Sequence, residues 1–258
     1  MYPVVLQIGS FQLRSYGVMA AVGFLLAAWI LSANSRRAGI SRDDASSLLF
    51  TAMVSGIVGA RLFYVIQFSS QFRNNFWEIF RVDRGGLVFY GGFLLAIAAL
   101  YCHCRIRKID FIRALDLFAP AMAASHACGR IGCFLNGCCY GAPTKLPWGV
   151  VYPEGAFPRL RYGAMPLHPA QLYEAAWNFA VCGLFLWLLR RTPRGVPMSV
   201  YLALYGAFRF INEFWRGDNP KVLLDCTPAQ VIGLVLIPVG IALAIFFSRR
   251  GAAADAAR

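Results

Sequence analysis

The chain reads as an all-α polytopic membrane protein with seven transmembrane helices, and three observations carry that reading. Hydrophobic residues make up 59% of its 258 residues and charged residues only 14%, too little polar surface to cover a soluble core of that size. Several apolar runs reach the roughly 17 to 25 residues that a bilayer demands of a helix. Lys and Arg outnumber Asp and Glu by 25 to 12, yet most of them fall between the apolar runs, where they record topology and attraction to anionic headgroups. No base-reading motif or separate basic domain accompanies them, which argues against nucleic-acid binding.

The spans follow in order. The first, about 16–33, opens on Tyr16-Gly17 in an aromatic-belt position, and Arg36-Arg37 behind it hold that end in the cytoplasm. Arg14 is the only charge before it, so the segment is a span and not a cleavable signal. The second (about 47–68), fourth (113–134) and sixth (196–215) each carry an arginine: Arg61, Arg130 and Arg209. The third, about 86–104, ends at Cys102-His103-Cys104 beside a cytoplasmic loop, an ordinary span end. The fifth, about 168–189, opens on His168-Pro169, where proline suits a helix start. The seventh, about 228–247, leaves 248–258 as a short cytoplasmic tail.

Residues 1–258 thus form one integral membrane domain. Its longest excursion, 135–167, bears several Gly and Pro residues and falls on the same face as loops 69–85 and 216–227. Thirteen Lys and Arg lie on one side of this arrangement and nine, over about twice as many residues, on the other. The positive-inside rule then places the amino terminus outside and the carboxyl terminus inside.

Ionisable residues inside spans are costly, by several kcal/mol each. Arg61, Arg130 and Arg209, with Asp116, Glu174 and Glu213 in or beside spans, therefore call for a reason. Three positive and three negative charges could simply pair; alternatively they line a polar cavity for a charged substrate, since guanidinium forks suit phosphate oxygens. Spacing favours the cavity: Tyr205, Arg209, Glu213 and Arg216 recur at intervals of four, four and three, which places them on one helical face. Arg130 sits among glycines at 129, 132, 137 and 141, with Asn136 close behind.

Taken together, the segments resemble the prolipoprotein diacylglyceryl transferases of bacteria. The resemblance runs in order through Ser15-Tyr16-Gly17, Val58-Gly59-Ala60-Arg61-Leu62-Phe63-Tyr64 and Gly85-Gly86-Leu87-Val88-Phe89-Tyr90-Gly91-Gly92. It continues through Gly129-Arg130-Ile131-Gly132-Cys133-Phe134-Leu135-Asn136-Gly137, His168 to Glu174, and Tyr205 through Arg216. It implies a seven-helix enzyme of the bacterial inner membrane whose catalytic centre opens toward the periplasm. Such enzymes move the diacylglyceryl group of phosphatidylglycerol onto the thiol of a lipobox cysteine in a preprolipoprotein signal peptide, forming a thioether and releasing glycerol phosphate.

Residue by residue, Arg130 and Arg209 match the family's essential arginines and are expected to clamp the phosphate. His168 and Tyr90 complete the expected catalytic set. Tyr16, Asn136, Tyr205 and Glu213 match other functional or cavity-lining positions; Arg61 joins the substrate-binding set, with a structural role equally open. A monomer that needs neither cofactor nor metal is expected. Two other readings stay open: a transferase on the same scaffold with another lipid donor or thiol acceptor, and a non-catalytic lipid-binding membrane protein.

The sequence departs from the family pattern at informative places. Tyr90 stands where the family usually has histidine, Cys133 where it has asparagine, and Cys138 where it has glutamate. A tyrosine of ordinary pKa near 10 is a poor base at neutral pH. The arginine clamp is kept while the acid/base set is altered. Cys128, Cys133, Cys138 and Cys139 admit three readings: small side chains packed at helix crossings, a disulfide on an oxidising face, or a zinc site, whose usual paired two-residue spacing is missing.

Overall fold

The computed structural model describes residues 3–9, 11–72, 76–81, 85–216 and 226–256. A long helix lies over each of the seven predicted spans: α1 (Ser15–Asn34), α2 (Arg42–Gln67), α3 (Phe89–Arg107), α4 (Phe111–Asn136), α6 (Ala170–Arg191), α7 (Val196–Asn212) and α8 (Pro228–Ala256). A short helix α5 (Phe157–Tyr162) falls inside the excursion, and strands β1 (Val4–Ile8) and β2 (Phe11–Arg14) pair antiparallel ahead of α1. Five of these helices (α1, α2, α3, α6 and α8) are long and apolar enough to cross a membrane. The other two differ in kind: α7 has 17 residues, and α4 carries Arg113, Asp116 and Arg130.

Local chemistry sets the helix ends. The Ser41 hydroxyl accepts from the Asp44 backbone N–H at 3.0 Å, and Asp43 and Asp44 in the first turn of α2 complement its positive end. Helix α3 ends with Arg105 and Arg107 in its last turn and Lys108 in the left-handed region, and α6 ends with Arg190 and Arg191. Asp116 of α4 caps another helix altogether: its carboxylate accepts from the backbone N–H groups of Gly195 at 2.5 Å and Met198 at 3.0 Å, at the start of α7.

Several expectations change. The hairpin of β1 and β2 occupies the stretch ahead of the first span, where β-branched Val4, Val5 and Ile8 and the glycine at 9 in the left-handed region suit two short strands. Helix α7 stops at Asn212; a tighter 3-10 turn follows over Glu213–Trp215, and Arg216 leaves it in extended backbone. The single helical face read for Tyr205 to Arg216 therefore holds only as far as the first turn beyond Arg209. Helix α8 continues through the expected tail to Ala256, with residues 257–258 outside the described set. In loops 69–85 and 216–227, residues 73–75, 82–84 and 217–225 also lie outside it.

The chain divides into two compact units, Met1–Ile30 with Leu115–Arg258, and Leu31–Ala114. In the first, α7 packs along α8 and against α6. The excursion folds onto itself around a core of Tyr140, Tyr152 and Leu167. Backbone bridges tie Leu167 to Pro143 and Val150, and Gly141 to Arg216. The buried Gln171 side chain of α6 donates to the Cys138 carbonyl at 2.7 Å and to the Tyr152 hydroxyl at 3.0 Å, anchoring the excursion to the helices.

In the second unit α2 packs closely on α3: a Cβ at Gly59 would stand 2.5 Å from the Gly91 carbonyl oxygen, so only glycine lets the two backbones meet there. His103 joins the same pair through Thr51 Oγ1 at 2.9 Å and Ser47 Oγ at 3.4 Å.

Candidate active site

Two helices of the first unit aim ionisable side chains at one buried carboxylate on a third. Glu174, one turn into α6, is 1% exposed. From α4, Arg130 Nε approaches Glu174 Oε2 at 3.0 Å. His126, four residues earlier and therefore on the same face of α4, places Nε2 at 3.2 Å from Glu174 Oε1 and 3.1 Å from Arg130 Nε. A protonated Nε2 donates to the carboxylate; an unprotonated one accepts from the guanidinium.

Helix α7 supplies the rest. Arg209 Nη2 pairs with Glu213 Oε2 at 3.0 Å, and Asn212 Nδ2 donates to Glu174 Oε2 at 3.3 Å. Arg209 Nη1 stands 3.7 Å from Glu174 Oε2, beyond hydrogen-bond range, and is buried with no acceptor among the described residues. A buried guanidinium N–H without an acceptor is a costly arrangement, and an incoming anion would satisfy it. A narrow pocket runs past it, lined by Glu174, Asn178, Tyr201, Tyr205, Phe208 and Arg209. The Tyr205 ring lies 5.9 Å from that of His126 and stacks on Tyr201 at 6.0 Å.

Of the residues singled out in the sequence, Arg130, Arg209, Tyr205 and Glu213 converge here. Tyr16 lies against the C-terminal part of α4, its Cα 3.3 Å from where a Cβ on Gly132 would stand. Asn136 ends α4 and hydrogen-bonds with Cys138. His168 lies outside the ion-pair network: its Nδ1 is 3.3 Å from the Tyr173 hydroxyl, which in turn accepts from Trp148 Nε1 at 2.8 Å. Burial lowers the His168 pKa from its ordinary value, which favours the neutral ring.

Arg61 and Tyr90 belong to the second unit. Arg61 spends its guanidinium on backbone carbonyls: Nε donates to Ile79, Nη2 to Glu78, and Nη1 to both Gly85 and Gly86, at 2.5 to 3.0 Å. That is the behaviour of a loop organiser, and the ion pair considered for it is replaced by neutral acceptors. Tyr90, in the first turn of α3, is 55% exposed and meets the Phe89 ring edge-on.

His126 and the central position of Glu174 were missed in the sequence. The i, i+4 spacing of His126 and Arg130 on a span already marked by its arginine was the available signal. The cysteines were also underread. At the end of α4, Gly137 (φ 76°) and Cys139 (φ 60°) turn the chain back, so that the sulfurs of Cys133, Cys138 and Cys139 all lie within 4.8 Å of one another. All eight cysteines are free thiols, against the disulfide reading. Hydrogen bonds from Cys133 and Cys138, then the Arg216 and Arg130 guanidiniums, hold the Cys139 thiol below the ordinary thiol range.

These features define a helical membrane protein whose partly buried arginines and histidine meet buried carboxylates in one network facing a narrow pocket, the equipment for handling an anionic group. The particular family follows from comparison with known proteins. A family model described as prolipoprotein diacylglyceryl transferase matches residues 3–246, and the chain belongs to that family. It is 34% identical over 242 residues to the phosphatidylglycerol--prolipoprotein diacylglyceryl transferase of Clostridium tetani, covering 93% of this chain and 96% of the relative. Proteins of the same name from Cupriavidus metallidurans (34% over 266 residues, 99% and 96% covered) and Geobacter sulfurreducens (34% over 256 residues, 96% of each) are similar along their full length.

Proposed function

We propose that this protein transfers the diacylglyceryl group of phosphatidylglycerol to the lipobox cysteine of preprolipoproteins. The observation that carries the reading is the convergence of Arg130 and Arg209 on Glu174, with Arg209 Nη1 buried and unsatisfied beside the pocket. In the reaction the acceptor sulfur forms a bond to the terminal glyceryl carbon of the donor. The bond from that carbon to the phosphate oxygen breaks, and its electron pair leaves on glycerol phosphate. Negative charge grows on the phosphate as the bond breaks, and the two guanidiniums stabilise it where little water competes. Glu174 holds Arg130 in place from below, and Glu213 does the same for Arg209.

All seven long helices span the membrane in this reading, α4 and α7 being sheltered by their neighbours, with the amino terminus outside. The pocket then serves the periplasmic side of the bacterial inner membrane, the lipid enters sideways, and the enzyme works as a monomer on one signal peptide at a time. Tyr16 and Asn136 lie at the same end of α1 and α4 as Arg130 and line the approach.

Arg130→Ala tests the reading against a non-catalytic lipid-binding protein. Purified variant and parent are compared for phosphatidylglycerol binding and for transfer to a lipobox peptide. An enzyme loses transfer by about two orders of magnitude or more, as when a group stabilising transition-state charge is removed, while remaining folded. A parent protein that binds the lipid and transfers nothing contradicts the proposal.

A further inference from the structure

The three thiols at the end of α4 are not used by the chemistry above. Their geometry is specific. Cys133 is on the last turns of α4, and the reversal at Gly137 and Cys139 folds the next two cysteines back over it. Cys139 is one of only two non-glycine residues with positive φ among those described; the other, Lys108, closes a helix. A side chain held in that region is strained and persists where surrounding structure demands it. The Gln171 amide fixes the same turn by taking the Cys138 carbonyl.

The three sulfurs lie within 4.8 Å of one another, and a tetrahedral zinc with bonds of about 2.3 Å needs them roughly 3.8 Å apart. A contraction of about 1 Å at most, within reach of rotamer adjustment, closes the set. Cys133 is buried while Cys138 and Cys139 are partly exposed, so one side of the cluster stays open. Three thiolates around a divalent cation carry a net charge of −1, and the guanidiniums of Arg130 and Arg216, which act electrostatically on Cys139, offset it.

We propose that Cys133, Cys138 and Cys139 bind Zn²⁺ through three thiolates and that its fourth position takes the thiol of the acceptor cysteine. This rests on the diacylglyceryl-transfer reading and deepens it. Catalytic zinc sites hold three protein ligands and keep one position open, and a coordinated thiol is deprotonated outright. The acceptor S–H thus gives its proton to water on binding, with no protein base required. The zinc-bound sulfur donates a lone pair to the glyceryl carbon; the carbon–oxygen bond breaks toward phosphate, and glycerol phosphate departs with that pair. The neutral thioether is a weak ligand and leaves the metal.

The test uses the full-length protein in lipid nanodiscs. Elemental analysis is expected to find about one zinc per chain, as a single three-ligand site requires, falling at least tenfold in Cys138→Ser and Cys139→Ser proteins that keep the parent's melting transition. In cobalt-substituted protein, sulfur-to-cobalt charge-transfer absorption should grow when a lipobox peptide is added and stay unchanged with its Cys→Ser version. Zinc below a tenth of the chain concentration, equal zinc in the serine variants, copper in its place, a disulfide among the three cysteines, or an unchanged cobalt spectrum with the cysteine peptide each overturns the proposal. A parallel transfer assay separates the two claims: transfer by zinc-free protein removes the zinc role and leaves the enzyme, while zinc and thiol binding without any transfer removes the enzyme reading.

Discussion

Replacing Glu174 by Gln removes one negative charge from the centre of the cluster with almost no change in volume. The parent carboxylate, 1% exposed, meets Arg130 at 3.0 Å, His126 at 3.2 Å, Asn212 at 3.3 Å and Arg209 at 3.7 Å. An amide accepts only through one oxygen, and its NH₂ would face groups that are themselves donors. Glu213 alone then balances two partly buried guanidiniums. Breaking a buried ion pair from one side costs about 3 to 5 kcal/mol. At roughly 2 to 4 °C per kcal/mol for a chain of this length, the melting transition should fall by about 6 to 20 °C.

Thermal unfolding in matched nanodiscs reads this directly. Glu174→Asp, which keeps the charge on a shorter stem, should fall between parent and Gln variant. A Glu174→Gln protein that melts within a degree of the parent would mean that the carboxylate does not carry the charge balance assigned to it.

Other expectations follow from the same structure. Arg209→Lys loses the planar fork that reaches Glu213 with one nitrogen and the pocket with the other; losing one charge-assisted hydrogen bond of about 1.5 to 3 kcal/mol should lower transfer roughly 10- to 100-fold, and full activity would contradict a clamp. Asp116→Ala leaves two backbone N–H groups of the α7 start without their cap and should cost about 1 to 2 kcal/mol of stability while folded protein keeps its transfer rate. Arg61→Ala frees the carbonyls of Glu78, Ile79, Gly85 and Gly86 and should make that loop a preferred site of limited proteolysis. The lowered pKa of His168 means that the unfolded chain binds its proton more readily, so its contribution to stability is present above about pH 6.5 and is lost as pH falls from there through the folded pKa. His168→Gln should flatten stability over that acidic range, as read from melting transitions between neutral and acid pH.

The helices were legible because lipid-length apolar runs leave little choice of secondary structure, and all seven expected segments are helical. Their ends were less so. Glu213 keeps its predicted distance to Arg209, yet Arg216 leaves the helix because the chain turns at Glu213–Trp215 and joins Gly141 in a backbone bridge, a long-range contact that no local periodicity encodes. The arginines announced themselves as charges in apolar surroundings. His126 did not, since a histidine costs little in a span when neutral. Asp116 had the same sequence signature as Glu174, and only the tertiary structure separates a cap on α7 from the centre of the ion-pair network. The cysteine spacing looked wrong for a metal because the reversal at Gly137 and Cys139 is a property of backbone dihedral angles, which spacing alone does not reveal.

The proposed reaction makes a carbon–sulfur bond between a phospholipid's glyceryl group and a peptide cysteine. The measurement is mass spectrometry of a lipobox peptide after incubation with purified protein and isotope-labelled phosphatidylglycerol. A labelled diacylglyceryl adduct is expected on the peptide cysteine, with glycerol phosphate released in equal amount. An unmodified peptide, from protein shown to be folded and lipid-bound, would contradict it.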